Sequence, residues 1–327
     1  MARGLPWGAS LSNINQGLKD NCIMLHFKPI FIGGCSRSGT TFLGSLLGTH
    51  KSCLCTPESQ FKVEILQTIG KETNKNAYLQ LVNNYRFKIW DINYPFEQFN
   101  GLPPKQIIEN IITIYARNQG KQKFDYWIDH TPNNLQYAKL LLGYFPNAKF
   151  IHIIRDGRAI ASSIKKLSWG WYSPKSIAQL WLTELSYGFA TECALSNDKV
   201  IQIKYEDLIM STDNVLKTLC NFIDIEYSDA LLRGNGFRLP TYTRDQHTLV
   251  GRKPQVSRIN AWIKDLSARY IELFEYYAGN MLVMNGYKLI NQSIKPPSFY
   301  EKFFYQVIQI LKTYNDKKKL RKKKDDL

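Results

Sequence analysis

The chain has 327 residues, 44% of them hydrophobic and 21% charged, so it can bury a core and lacks the low-hydrophobicity signature of disorder. Forty-three Lys and Arg against 27 Asp and Glu leave +16, of which residues 316–327 supply only +4. A body this basic points to an anionic ligand, whether a nucleotide, a nucleic acid or a sulfated or phosphorylated substrate.

Six cysteines, at positions 22, 35, 53, 55, 193 and 220, are too sparse for a disulfide-built scaffold. The Cys53-x-Cys55 pair has no second cluster with zinc-site spacing, so both read as strand residues and no metal is expected. No stretch reaches ~18 consecutive apolar residues and the first 21 lack the apolar segment of a signal peptide, which predicts a soluble, cytoplasmic protein.

In chain order, residues 1–27 read as an extension. The apolar run Lys28 to Gly34 predicts a strand, and Phe42, Leu43, Leu46 and Leu47 place a helix after Gly39. A short strand over Ser52 to Thr56 and helices over Ser59 to Ile69, Asn74 to Asn84 and Lys105 to Ala116 follow. Strand Tyr126 to Asp129, helix Asn134 to Tyr144, strand Lys149 to Arg155 and helix Arg158 to Lys166 come next. Helix Lys175 to Leu195, strand Val200 to Lys204 and helix Asn214 to Phe222 complete the alternation. Strands alternating with helices predict an α/β fold, three layers with a central parallel sheet covered on both faces, whose ligands bind beyond the carboxyl ends of the strands. Leu231 to Gln255, rich in Gly, Pro, Arg, Thr and Asn, reads as a long loop over that site. Helical character returns over Ile259 to Ala278 and Phe299 to Tyr314. The main domain is placed at 28–290, and a C-terminal helix with the basic run KKKLRKKK (317–324) at 291–327.

Gly34-Cys-Ser-Arg-Ser-Gly39-Thr-Thr41 has the G-x-x-x-x-G spacing of a phosphate-binding loop, lying between an apolar strand and a helix. Its backbone amides and the positive end of the following helix suit a tetrahedral anion. Thr40 stands where a nucleoside-triphosphate loop carries lysine, and the cation is Arg37 instead, which weighs against ATP or GTP hydrolysis. A second strand-to-helix junction at Arg155, with Ser163 on its helix, offers a separate oxyanion site, so the pair fits a ligand charged at both ends.

Gly33 to Thr41 resembles the 5′-phosphosulfate loop of sulfotransferases that use 3′-phosphoadenosine 5′-phosphosulfate (PAPS). Phe150-Ile-His-Ile-Ile-Arg-Asp-Gly-Arg-Ala159 with Ser162-Ser163 resembles their 3′-phosphate motif, and Tyr205-Glu-Asp-Leu208 a third landmark. The resemblance implies the P-loop nucleoside-triphosphate-hydrolase-like sulfotransferase fold and PAPS as donor. It assigns Arg37, Ser38, Gly39, Thr40, Thr41, Arg155, Ser163 and Tyr205 to the nucleotide, with Arg252 and Lys253 on a late segment that closes over it.

Sulfuryl transfer to a hydroxyl needs a base for the acceptor proton and positive donors for the charge that develops. Glu58, after the second strand, matches the catalytic glutamate of tyrosylprotein sulfotransferases, the relatives this stretch is most similar to. The same residue also suits the first turn of a helix by its charge alone. His130 aligns with a lysine of those relatives, and is an electrostatic aid only if a neighbour such as Asp129 keeps it protonated. Arg37, Glu58 and His130 are thus the catalytic candidates. Ser59 and Gln60 replace Thr and Arg of the tyrosylprotein enzymes, which argues against protein tyrosine and leaves the acceptor as an unspecified hydroxyl compound. The helices Asn74 to Asn84 and Lys105 to Ala116, with the aromatics Tyr85 to Phe99 between them, are expected to form the acceptor pocket, while Trp169, Trp171 and Tyr172 read as packing within an insertion, with stacking on an acceptor ring as the alternative. A P-loop kinase and a non-catalytic nucleotide- or nucleic-acid-binding protein are the rival readings. No specific nucleic acid is expected, and the tail gives at most weak contact with anionic membranes.

Overall fold

The computed structural model describes residues 26–67, 75–167, 173–239 and 250–325. Its strands are β1 (Lys28–Gly33), β2 (Cys53–Cys55), β3 (Tyr126–Asp129), β4 (Lys149–Ile154) and β5 (Val200–Lys204). They form one sheet in the order β2-β3-β1-β4-β5 with every pairing parallel. All carboxyl ends therefore meet at one edge, and the five chain segments that leave the strands there build the site.

Alternation along the strands sends side chains to two different cores. Phe31, Leu54, Trp127 and Phe150 point to one face. Helices α2 (Phe61–Gln67), α5 (Pro104–Asn118) and α6 (Ala138–Tyr144) cover it, with the small helices α3 (Lys75–Asn83) and α4 (Tyr85–Lys88) outside. Ile30, Ile32, Ile128, Ile151 and Ile153 point to the other face, under α1 (Thr40–Leu47), α9 (Tyr205–Met210) and α10 (Thr212–Ile223). A third cluster joins α7 (Gly157–Lys165), α8 (Pro174–Ala194) and α12 (Ala268–Met284) around Trp181 and Phe274. The result is the three-layer α/β/α arrangement expected from the sequence.

Two expected helices are divided. Residues after Thr131 begin with a 3₁₀ stretch, Pro132–Tyr137, before α6. The run expected over Ile259 to Ala278 is interrupted between α11 (Trp262–Asp265) and α12, because Ser267 is extended and caps α12 by accepting from the Tyr270 N–H. The last helix, α13, spans Phe299–Asp325.

Candidate active site

The loop from β1 to α1 is shaped by backbone that only glycine tolerates well. Gly34 has φ +147 and a Cβ there would lie 2.2 Å from the Ile153 carbonyl oxygen; at Gly39, φ +100, it would lie 2.6 Å from the Tyr205 ring. Arg37 itself has φ 74, a strained value for a side-chain-bearing residue. Its guanidinium reaches the helix that follows the neighbouring strand end. Arg37 Nε donates to Ser163 Oγ on α7 at 3.0 Å, and Arg155 donates to the Arg37 carbonyl at 2.8 Å. The two anion motifs are thus one continuous structure.

Arg155 lies over the Tyr205 ring at 4.1 Å, and its carbonyl accepts from the Trp181 indole N–H. Burial, with Arg155 next in strength, lowers the Arg37 pKa, while Glu58 and Tyr205 oppose that effect. Two guanidiniums held this close favour an anion between them. Ser38 Oγ and Arg155 Nε are buried without a hydrogen-bond partner among the described residues. A phosphate or sulfonate in the loop is the acceptor such donors require, so the residues fit the charged ends of PAPS. Thr40 and Thr41 are buried in the first turn of α1, where helix N–H groups face the loop. Arg252 and Lys253 stand exposed, and residues 240–249 of their loop lie outside the described residues.

Glu58 is half-buried just beyond β2. Its carbonyl accepts from the Trp90 indole and its carboxylate from the Gln60 amide. Burial raises its pKa, against the opposing charges of Arg86, Lys62 and Arg37. A carboxylate whose proton affinity is raised toward neutrality is a better base than one in water. Phe87, Trp90, Tyr94 and Phe99, expected around the acceptor, are instead fully packed, with Phe61 edge-on to Phe87 and Trp90 at 5.2 Å each. They form the wall that holds the Glu58 turn. Trp169, Trp171 and Tyr172 lie outside the described residues.

His130, 2% exposed, sits behind this surface against Gly44 of α1 and 5.0 Å from the Phe237 ring. Burial pushes its pKa down to about 4, so the imidazole is neutral at neutral pH. Asp129 does not hold it protonated, because that carboxylate is committed elsewhere. Asp129 pairs with the buried Lys62 at 3.1 Å and accepts from Ser59 and from the Thr131 N–H and hydroxyl. Burial alone would raise Asp129, but Lys62 and these donors outweigh it and keep it ionised. This clasp ties the Glu58 turn to β3, and no sequence pattern announces it. Asp156, too, looks inward: it caps α7 and binds Arg158, which also bonds Glu275 of α12 at 2.6 Å.

The chain is similar to known proteins over this same region. A model of the sulfotransferase family matches residues 29–229. Protein-tyrosine sulfotransferase 1 of Danio rerio is 26% identical over 208 residues, 62% of this chain and 55% of the relative. The Drosophila melanogaster protein-tyrosine sulfotransferase is 24% identical over 213 residues, 64% and 40% of the two chains. The chain thus spans about half the length of these curated relatives. Among solved structures, the sulfotransferase domain from the curacin biosynthetic pathway superposes with a TM-score of 0.60 at 17% identity, covering 81% of this chain and 99% of that one. The sulfotransferase domain of the Synechococcus PCC 7002 olefin synthase gives 0.57 at 18%, covering 81% and 97%. A loop, a second anion site and a carboxylate set on one sheet edge, together with a family match over most of the sheet, lead to one conclusion: the chain belongs to the sulfotransferase family.

Proposed function

We propose that the protein transfers a sulfuryl group from PAPS to a hydroxyl of an acceptor, with Glu58 as the general base. The observation that carries this reading is the Arg37–Ser163 hydrogen bond, which joins two anion sites at neighbouring strand ends. PAPS, when bound, supplies an activated sulfuryl group on a phosphate leaving group. The loop amides, Ser38, Thr40 and Thr41 hold the 5′ end, while Arg155 and Ser163 hold the 3′-phosphate. Arg37 stabilises negative charge that develops between donor and acceptor. Glu58 takes the acceptor proton as the bond forms. His130 acts here only as a neutral side chain. The relatives' names make a phenolic hydroxyl the first acceptor to try, beside carbohydrate, lipid and small-molecule alcohols.

Thermal stability with nucleotides and transfer from radiolabelled PAPS test this together. 3′-Phosphoadenosine 5′-phosphate at ~100 times its dissociation constant should contribute roughly 2.7 kcal/mol, and adenosine 5′-phosphate far less. Ser163→Ala should narrow the gap between them. Transfer should survive EDTA. Equal stabilisation by the two nucleotides would sink the bipartite site, and magnesium-dependent phosphoryl transfer from ATP would replace the reading with a kinase.

A further inference from the structure

Helix α13 leaves a continuous apolar face in solvent. Phe299, Tyr300, Phe303, Phe304, Val307, Ile310, Leu311 and Tyr314 are all exposed, Val307 at 36% and the other seven at 57% or more. At about 100° per residue they fall within an arc of about 140°, one side of a helical segment about 24 Å long. No Asp, Glu, Lys or Arg of 299–311 falls in that arc, since Glu301 and Lys302 lie outside it.

The helix is not free to roll this face inward. Ser298 and Glu301 form a reciprocal capping box, with the Ser298 N–H donating to Glu301 at 2.8 Å and the Glu301 N–H to Ser298 Oγ at 3.2 Å. Arg269 of α12 grips the same Glu301 carboxylate through Nε at 2.7 Å and a second nitrogen at 2.9 Å. Tyr305, one turn on, packs edge-to-face on Tyr270. These contacts occupy the opposite side of the helix and fix the apolar side outward.

Immediately after this face the helix continues through KKKLRKKK, seven basic residues in eight. We propose that α13 is an interfacial helix that lies on an anionic lipid bilayer, its aromatic face in the headgroup and acyl boundary and its basic run among the lipid charges. Three observations select this occupant. Five of the eight exposed residues are Phe or Tyr, the side chains suited to that boundary. The adjoining charge is complementary to anionic headgroups and would repel itself between two parallel copies of the chain. No helix among the described residues is long and apolar enough to cross a membrane, so the face lies along the bilayer rather than through it. The inference is independent of the sulfuryl-transfer reading.

Flotation of the full chain with vesicles tests it, comparing phosphatidylcholine alone with a phosphatidylcholine–phosphatidylserine mixture. The wild type should float with the anionic vesicles at least tenfold more than with the neutral ones. Phe303→Ser with Ile310→Ser, both exposed and neither part of the nucleotide loop, should lower that binding at least tenfold with the basic run intact and the melting temperature unchanged. Replacing Lys322, Lys323 and Lys324 by Gln should lower it and weaken the preference for anionic lipid. Wild-type binding retained by the Phe303/Ile310 variant would overturn the proposal in favour of the basic run acting alone. Absence of vesicle binding, or a dimer in solution that the same variant dissolves, would also overturn it.

Discussion

At the scale of single residues the site separates two titratable groups, half-buried Glu58 and buried His130, by their surroundings. Glu58 lies where burial raises its proton affinity but three cations, Arg86, Lys62 and Arg37, keep the carboxylate within reach. Turnover of the wild type should fall as pH drops through that raised value, because protonation removes the base, and the midpoint should sit above the ordinary 4.5. Glu58→Gln should lower turnover roughly 10²- to 10⁴-fold and abolish this limb, with nucleotide affinity within a few-fold. Near-normal turnover in a folded Gln variant would reduce Glu58 to a helix-start residue.

His130 gives the opposite case. Its folded pKa of about 4 lies below the ordinary 6.5. Above about pH 6.5 it is neutral folded or unfolded, and contributes nothing to pH dependence. Between 6.5 and 4 only the unfolded chain takes the proton, so stability is lost as pH falls through that window, on the order of 3 kcal/mol in all. Chemical denaturation across pH 4–7 should show a shallower acid slope for His130→Gln than for the wild type, whatever the absolute stability of the variant; equal slopes would show that His130 is not the group responsible.

At the scale of elements, the phosphate-type loop depends on backbone that side chains oppose. Gly34→Ala should cost at least ~2 kcal/mol and weaken nucleotide binding, since both its φ and the Ile153 carbonyl stand against a Cβ. Gly120, also at positive φ (72) but with nothing within 4 Å of a Cβ, is the control, and Gly120→Ala should cost only ~1 kcal/mol with binding intact. Denaturant melts and nucleotide titrations of the two variants make the comparison, and equal effects would remove the steric argument.

The same scale shows what the sequence carries. Four of the five strands are legible because each is a short, largely apolar run ending at glycine or charge, and the two anion motifs because their chemistry is local, within nine residues of a strand end. The break at Ser267 is less visible, as the apolar spacing continues across it and only the cap marks it. The Lys62–Asp129 clasp is not legible at all: it joins residues 67 apart in the chain through a tertiary ion pair, with no periodicity to announce it. The aromatics around Trp90 mislead because large rings serve a pocket wall and a core equally well, and burial decides between them.

For the whole molecule, the central place of β1 has a consequence for biosynthesis. β1 is made well before its partners β3 and β4, with Lys28 registered on Tyr126 and Ile30 on Lys149. At ~5–20 residues per second, a ribosome needs roughly 5–20 s to make the intervening hundred or so residues. Throughout that interval the apolar segment Pro29-Ile-Phe-Ile32 has no sheet to enter, and its pairings are among the long-range contacts that slow folding. The nascent chain therefore passes through a stage in which a strand destined for the centre of the sheet is an unpaired apolar segment, open to wrong partners before the catalytic edge can assemble.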